Sequence, residues 1–378
     1  PFQIDFIGRI NYPVKNSFYV APALGYNFHN GLMGGLLLHN YFLHKRAFEF
    51  AIAPLYGFRN QQLAGLGNMN YTFQMQSGFI KSLAIGLDAR SFAFESNTGN
   101  AKETSNYQQV KPFVVFNIRN AERLSKINQT VKLNYNYITE NYWEDIKSTT
   151  NAFTTLTYAF ENNRTLDPWK VQLQFENNEV FNKVSIDYNY KFSYKNIKKG
   201  LYVRLFAGGL LDGNSNNLNQ GYGLNLSDGG IYYDYNYERN YLGRNLPSTN
   251  FLSKQLFNDQ GGFKIYTPIG NNAKWVSSIN ITADCPIPLP FRFFVDAGVC
   301  EALNARTNAI DKKENIIYEA GVSFSLIKDI AEIYFPLVAS KSIMNYFETN
   351  KYGFAERIRF KFDISKLNPL LLRKQISR

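Results

Sequence analysis

Several things are scarce in this chain, and each scarcity removes a class of protein. No apolar run approaches the roughly 20 residues that a membrane-crossing helix needs. The longest, Leu32 to Leu38, is broken by Gly34 and Gly35. Among 378 residues there are 2 cysteines, 3 histidines and 3 tryptophans. Two cysteines cannot staple a chain of this length. Cys285 stands beside the turn Pro286-Ile-Pro-Leu-Pro290, and Cys300 stands far up the strand that follows. At ~3.3 Å per residue they are separated by roughly 30 Å, against the limit of about 7 Å for a disulfide. Both are therefore expected to be free thiols.

Catalytic and cofactor signatures are missing too. His29, His39 and His44 form no His-Glu-x-x-His pair and join no Cys/His set with zinc spacing. They read as polar turn or interface residues. No Gly-x-Ser-x-Gly elbow occurs. Gly208-Gly-Leu-Leu-Asp-Gly ends a strand and opens no helix, so it is not a dinucleotide fingerprint. Glu144-Asp145 falls in a loop and reads as solvated. The Asn-x-Ser/Thr triplets at Asn70, Asn128, Asn163, Asn225 and Asn280 read as chance. No catalytic, cofactor-binding or metal-binding residue is assigned, and no cofactor is expected. An enzyme site in the wall, built on His29, His39 or His44, is the weakest alternative.

Aromatics, by contrast, are abundant: 32 Phe and 26 Tyr. They follow a pattern. Residues 184–194 read Val-Ser-Ile-Asp-Tyr-Asn-Tyr-Lys-Phe-Ser-Tyr, apolar or aromatic at every second position and polar between. That is the period of a strand with two unlike faces. Ile358, Phe360, Phe362 and Ile364 alternate in the same way with Arg359, Lys361 and Asp363. Eighteen runs from 17–28 to 354–364 read as strands, 229–238 and 259–267 among them, with no helix of consequence. Strands this long and this aromatic predict an all-β fold: a transmembrane antiparallel β-barrel of roughly 16–18 strands in the bacterial outer membrane. A soluble β protein would have shorter strands.

The expected organisation is a lead-in segment or first strand at 1–16, a barrel over 17–364 and a C-terminal tail at 365–378. The long segments 95–106, 213–258, 303–313 and 341–353 alternate with the short 42–46, 75–79, 286–290 and 328–329. That predicts long outer loops and short inner turns. Segment 213–258, rich in Asn, Gly and Tyr, is long enough to plug the lumen, to cap its mouth or to be a plain surface loop. The chain opens at Pro1 with no signal peptide, so it reads as a processed chain or part of a longer one.

The net charge is +11. The Lys and Arg are scattered singly, with no basic helix or recognised module, so no nucleic-acid partner is expected. A basic rim facing anionic head groups, or a basic lumen, suits the pattern better. Arg90, Arg204, Lys132, Lys191 and Lys361 share the polar phase with Asp88, Asp187 and Asp363, and pairing between them is expected.

Some segments resemble a known family. They are Asn16 to Asn40, Ile52-Ala-Pro-Leu-Tyr-Gly-Phe58, Leu242-Gly-Arg, Gln260-Gly-Gly-Phe-Lys264, Ile279 to Pro290 and Arg357 to Pro369. Together they resemble the C-terminal region of outer-membrane-associated gluzincin metallopeptidases that look like aminopeptidase N. The resemblance implies a barrel that anchors a zinc peptidase. The zinc-binding helix of that family is not in this sequence, so the chain is not expected to hydrolyse peptides by itself, and zinc would belong only to an upstream domain. The expected partners are outer-membrane lipids and other envelope proteins or surface lipoproteins. A stand-alone porin or transport channel is the alternative.

Overall fold

The computed structural model describes residues 2–6, 16–41, 46–122, 124–144, 148–212, 221–228, 234–244, 250–301 and 316–363. Its strands are β1 (Phe2–Phe6), β2 (Asn16–Asn27), β3 (Gly31–His39), β4 (Phe48–Gly57), β5 (Gln62–Gln74), β6 (Ile80–Ser96), β7 (Thr104–Ile118), β8 (Ile127–Asn141) and β9 (Ser148–Asn162). They continue as β10 (Trp169–Asn177), β11 (Asn182–Ser193), β12 (Gly200–Asp212), β13 (Trp275–Asp284), β14 (Phe291–Cys300), β15 (Ile317–Ile327), β16 (Ala331–Ala339) and β17 (Arg359–Phe362). From β2 onward each strand pairs antiparallel with the next along the chain. All belong to one 17-stranded sheet. The sixteen strands β2 to β17 form a transmembrane antiparallel β-barrel, while β1 lies parallel to β2.

The two faces of this sheet are inverted relative to a soluble protein. On β4, Phe48, Ile52, Pro54 and Tyr56 are exposed, whereas Glu49, Ala53, Leu55 and Gly57 are buried. On β14, Phe291, Phe293 and Val295 are exposed, and Arg292, Phe294, Asp296 and Gly298 are buried. Dozens of large apolar side chains face outward in this way while Lys, Arg, Asp and Glu are buried inside. In water that arrangement would be costly on both faces. With hydrocarbon outside and a polar lumen inside, each face meets its own solvent. No described helix is long and apolar enough to cross a membrane; the crossing is made by strands.

The alternation of loop lengths follows from the antiparallel order. Short turns such as 75–79, 285–290 and 328–330 fall at one rim, with the start of β2 and the end of β17. The longer connections 97–103, 213–274 and 340–358 fall at the other. The longest connections thus share the rim expected from the sequence to be the outer one, together with the short turns 28–30, 58–61 and 178–181.

Three expectations are corrected. Residues 259–267 form no strand. The backbone N–H groups of Lys264 and Ile265 donate to the carboxylate of Glu319, and that of Phe263 donates to Leu226 O at 3.1 Å, so the donors are satisfied without a neighbouring strand. Of 229–238, residues 229–233 lie outside the described ones, and 234–238 form a turn closed by Tyr237 N–H donating to Asp234 O. The connection after β16 contains a nine-residue helix, α1 (Lys341–Thr349), where no helix was expected. Its buried Ile343 and Phe347 pack with Ile317 and Ala339 into the largest buried apolar cluster. The tail 365–378 and His44 lie outside the described residues.

Candidate functional site

The connection between β12 and β13 turns back into the barrel and fills much of its lumen. Leu224, Leu226, Phe263, Ile265 and Ile269 pack against Phe206 and Val276 of the wall. Gly298 on β14 permits this approach: a Cβ there would lie 2.6 Å from Leu226 Cδ1. The sequence left 213–258 open between plug, cap and surface loop. The described part is a plug, and it extends to 274.

Charge fixes the plug to the wall. Lys264 Nζ lies 2.9 Å from both Asp296 carboxylate oxygens and also donates to Gly262 O at 2.8 Å. Both side chains are almost wholly buried. Asn280 Nδ2 donates to the same Asp296 at 2.8 Å. Arg204 Nε donates to Asp187 at 2.8 Å, and Arg204 Nη1 donates to Gln260 O of the plug at 2.7 Å. Arg90 donates to the carbonyls of Tyr237 and Glu238. Lys111 sits between Asp88 and Glu238, and Lys183 between Glu176 and Tyr235. Within the plug, Arg244 pairs with the buried Asp234, and Arg239 with Asp228 and Asp259. Burial pushes the Asp234 carboxyl above its ordinary value, an effect that Arg244 and Arg239 oppose.

The pairing expected from the sequence is therefore present, with different partners in places. Arg204 takes Asp187 as expected. Asp88 is met by Lys111. Lys132 lies over the Phe113 ring, and Lys191 donates to Ile197 O. What the sequence could not reveal is that plug residues, Lys264 above all, supply one half of several pairs.

The plug also binds the last strand. Gln255 bridges to Phe360, and Leu256 N–H donates to Phe360 O at 2.8 Å. Gln255 Nε2 donates to Phe362 O at 2.8 Å, and the Phe251 ring stacks on Phe360 at 4.9 Å. Arg359, buried inside, donates to the carbonyls of Lys254 and Gln255. At the start of the barrel Phe28 N–H donates to Leu242 O at 2.6 Å. One inserted segment thus touches both the turn after the first barrel strand and the last strand. The filling is incomplete: a cavity of about 470 Å³ remains between Trp169, Arg204, Lys264 and Arg292, and a polar one of about 1070 Å³ lies beside Asn117 and Thr130.

The histidines do not assemble. His29 is buried in the turn after β2, with Nδ1 3.0 Å from Ser96 Oγ. Burial lowers its pKa to about 4. His39 sits at the opposite end of β3, where Nδ1 accepts from Tyr41 N–H at 3.2 Å. Cys285 and Cys300 are free and stand at opposite ends of their hairpin. No group of three or more His, Cys, Asp or Glu among the described residues is arranged to hold a metal ion.

A sixteen-stranded antiparallel barrel with a lipid-facing apolar wall and a charged, plugged lumen belongs to the class of bacterial outer-membrane β-barrel proteins. No family model and no curated protein matches the chain. Among solved structures, BamA from Haemophilus ducreyi lacking POTRA domains 1-3 is similar at 11% identity and a TM-score of 0.46, over 86% of this chain and 67% of that one. CdiB from Acinetobacter baumannii is similar at 12% identity and a TM-score of 0.39, over 85% of this chain and 56% of that one. The chain thus spans little more than half of the CdiB chain. Likenesses this distant carry no residue role or activity across. They do correct the resemblance drawn from sequence: neither protein is an aminopeptidase-N-like metallopeptidase, and no family model supports that link. The described parts of the quoted segments are wall strands, their turns and plug.

Proposed function

We propose that this chain is a non-catalytic outer-membrane barrel that serves the assembly or docking of other envelope proteins, and is not an open porin. The observation that carries this reading is the plug. A diffusion channel needs a continuous aqueous path. Here buried ion pairs hold the described residues of the plug across the lumen, and removing one partner of such a pair costs about 3–5 kcal/mol. A wall built to be kept closed, bonded through its interior to its last strand, suits a protein that acts through what binds it.

Conductance across a planar bilayer tests the reading. The full chain is expected to be nearly silent. A variant lacking 213–274 is expected to open large, steady channels, since sixteen strands enclose an aqueous bore once emptied. Porin-like conductance from the intact chain would favour the transport alternative. In the host, depletion is expected to lower the surface level of particular envelope proteins without altering permeability to small solutes.

A further inference from the structure

The positive charge is not explained by the lumen, where cations meet carboxylates, backbone carbonyls or aromatic rings. It is explained in part at the short-turn rim. Three turns there, 194–199, 285–290 and 328–330, are tied into one platform by two lysines. Lys199 Nζ donates to the carbonyls of Cys285, Ile287 and Leu289, which clamps the Pro286–Pro290 turn. Lys328 Nζ donates to Asp284 at 2.8 Å, to Tyr202 Oη and to Lys198 O. The platform presents Ile197, Ile287, Leu289, Leu326 and Ile327, all exposed. Around them stand Lys195 and Lys198, exposed and without a carboxylate partner among the described residues. The motif repeats along the same rim, where exposed Phe79 neighbours Lys81 and exposed Leu124 neighbours Lys126.

We propose that this rim is a lipid-binding collar that selects anionic phospholipid in the adjoining leaflet. The apolar tips continue the lipid-facing wall: Phe291 follows Pro290 directly and packs on Phe324 at 5.4 Å, and Leu326 and Ile327 end the neighbouring strand. Acyl chains thus extend to the level of the turns. The unpaired lysines next to these tips meet the phosphate head groups, as basic residues beside an apolar surface do at an anionic membrane. A soluble acidic protein would call for one basic patch, whereas apolar tip and lysine recur turn after turn around the rim.

The test uses the full chain reconstituted into phosphatidylcholine vesicles, with spin-labelled phosphatidylglycerol or phosphatidylcholine as the probe. Heat-modifiable migration checks that each variant is a folded barrel. The intact chain is expected to prefer phosphatidylglycerol about threefold, and the preference is expected to fall towards one in Lys195→Gln/Lys198→Gln. It is also expected to weaken in about 0.5 M salt. Lys102→Gln/Lys351→Gln, at the opposite rim, is expected to leave it unchanged. A folded intact chain with no preference would overturn the proposal. So would equal loss in the two double variants, or a preference that survives Lys195→Gln/Lys198→Gln.

Discussion

Lys264→Met is the most informative single substitution. It removes the only cation within hydrogen-bond range of Asp296 among the described contacts and leaves that carboxylate with Asn280, beside Glu319 on the next strand. Lys264 is 3% and Asp296 0% exposed, so the pair is held away from bulk solvent. Breaking such a pair costs about 3–5 kcal/mol. Because Lys264 belongs to the plug and Asp296 to the wall, the cost falls on plug docking and only weakly on the barrel ladder. Cys300 reports on docking, since it packs against the plug, and a Cβ at Gly270 would lie 2.9 Å from its sulfur. In a Cys285→Ser background, maleimide labelling of Cys300 is expected to accelerate by roughly two orders of magnitude, following the local opening equilibrium. Lys264→Met/Asp296→Asn, which removes both charges, is expected to recover much of the slow labelling, with a coupling of about 1–3 kcal/mol in the double-mutant cycle. Unchanged labelling in Lys264→Met, with the barrel still folded, would refute the claim that this pair holds the plug.

Further outcomes follow from other places in the fold. Leu205→Arg puts a cation on the lipid face of β12 and is expected to cost about 2–4 kcal/mol in bilayers, read from denaturant unfolding in vesicles. Gly35→Ala drives a Cβ to 2.0 Å from Pro54 O, a backbone atom, so slower assembly and a loss of about 1–3 kcal/mol are expected, measured by heat-modifiable migration and unfolding. His29 is held neutral in the fold down to about pH 4, whereas the unfolded chain takes up its proton near 6.5. The stability this gives is whole above pH 6.5 and is lost as pH falls towards 4, by roughly 3 kcal/mol. His29→Gln should flatten that dependence in unfolding midpoints taken at pH 7 and pH 4.5.

The wall was legible in the sequence, because a period of two survives any tertiary arrangement. Val184, Ile186 and Phe192 are exposed on the outer face, and Asp187 and Lys191 line the inner cavity, in the phase read from the residues alone. Residues 259–267 were not legible. Phe263, Ile265 and Thr267 alternate like a strand and are buried like one, yet their backbone is satisfied by a carboxylate and by Leu226. Local pattern cannot report which acceptor a donor will find. Helix α1 escaped notice for a related reason: nine residues with Ile343 and Phe347 one turn apart look like loop until Ile317 and Ala339 supply something to pack on.

Alternation, the lack of long apolar helices and the alternating loop lengths by themselves determined a membrane-spanning cylinder with a defined inner and outer rim, since each is a property of neighbouring residues. The direction in which the long insertion folds, the pairing of Lys264 with Asp296 and the gathering of three turns into a basic platform were decided only by the tertiary structure. These contacts join residues 32 to 130 positions apart, and nothing in local sequence favours them until the barrel sets one wall opposite another.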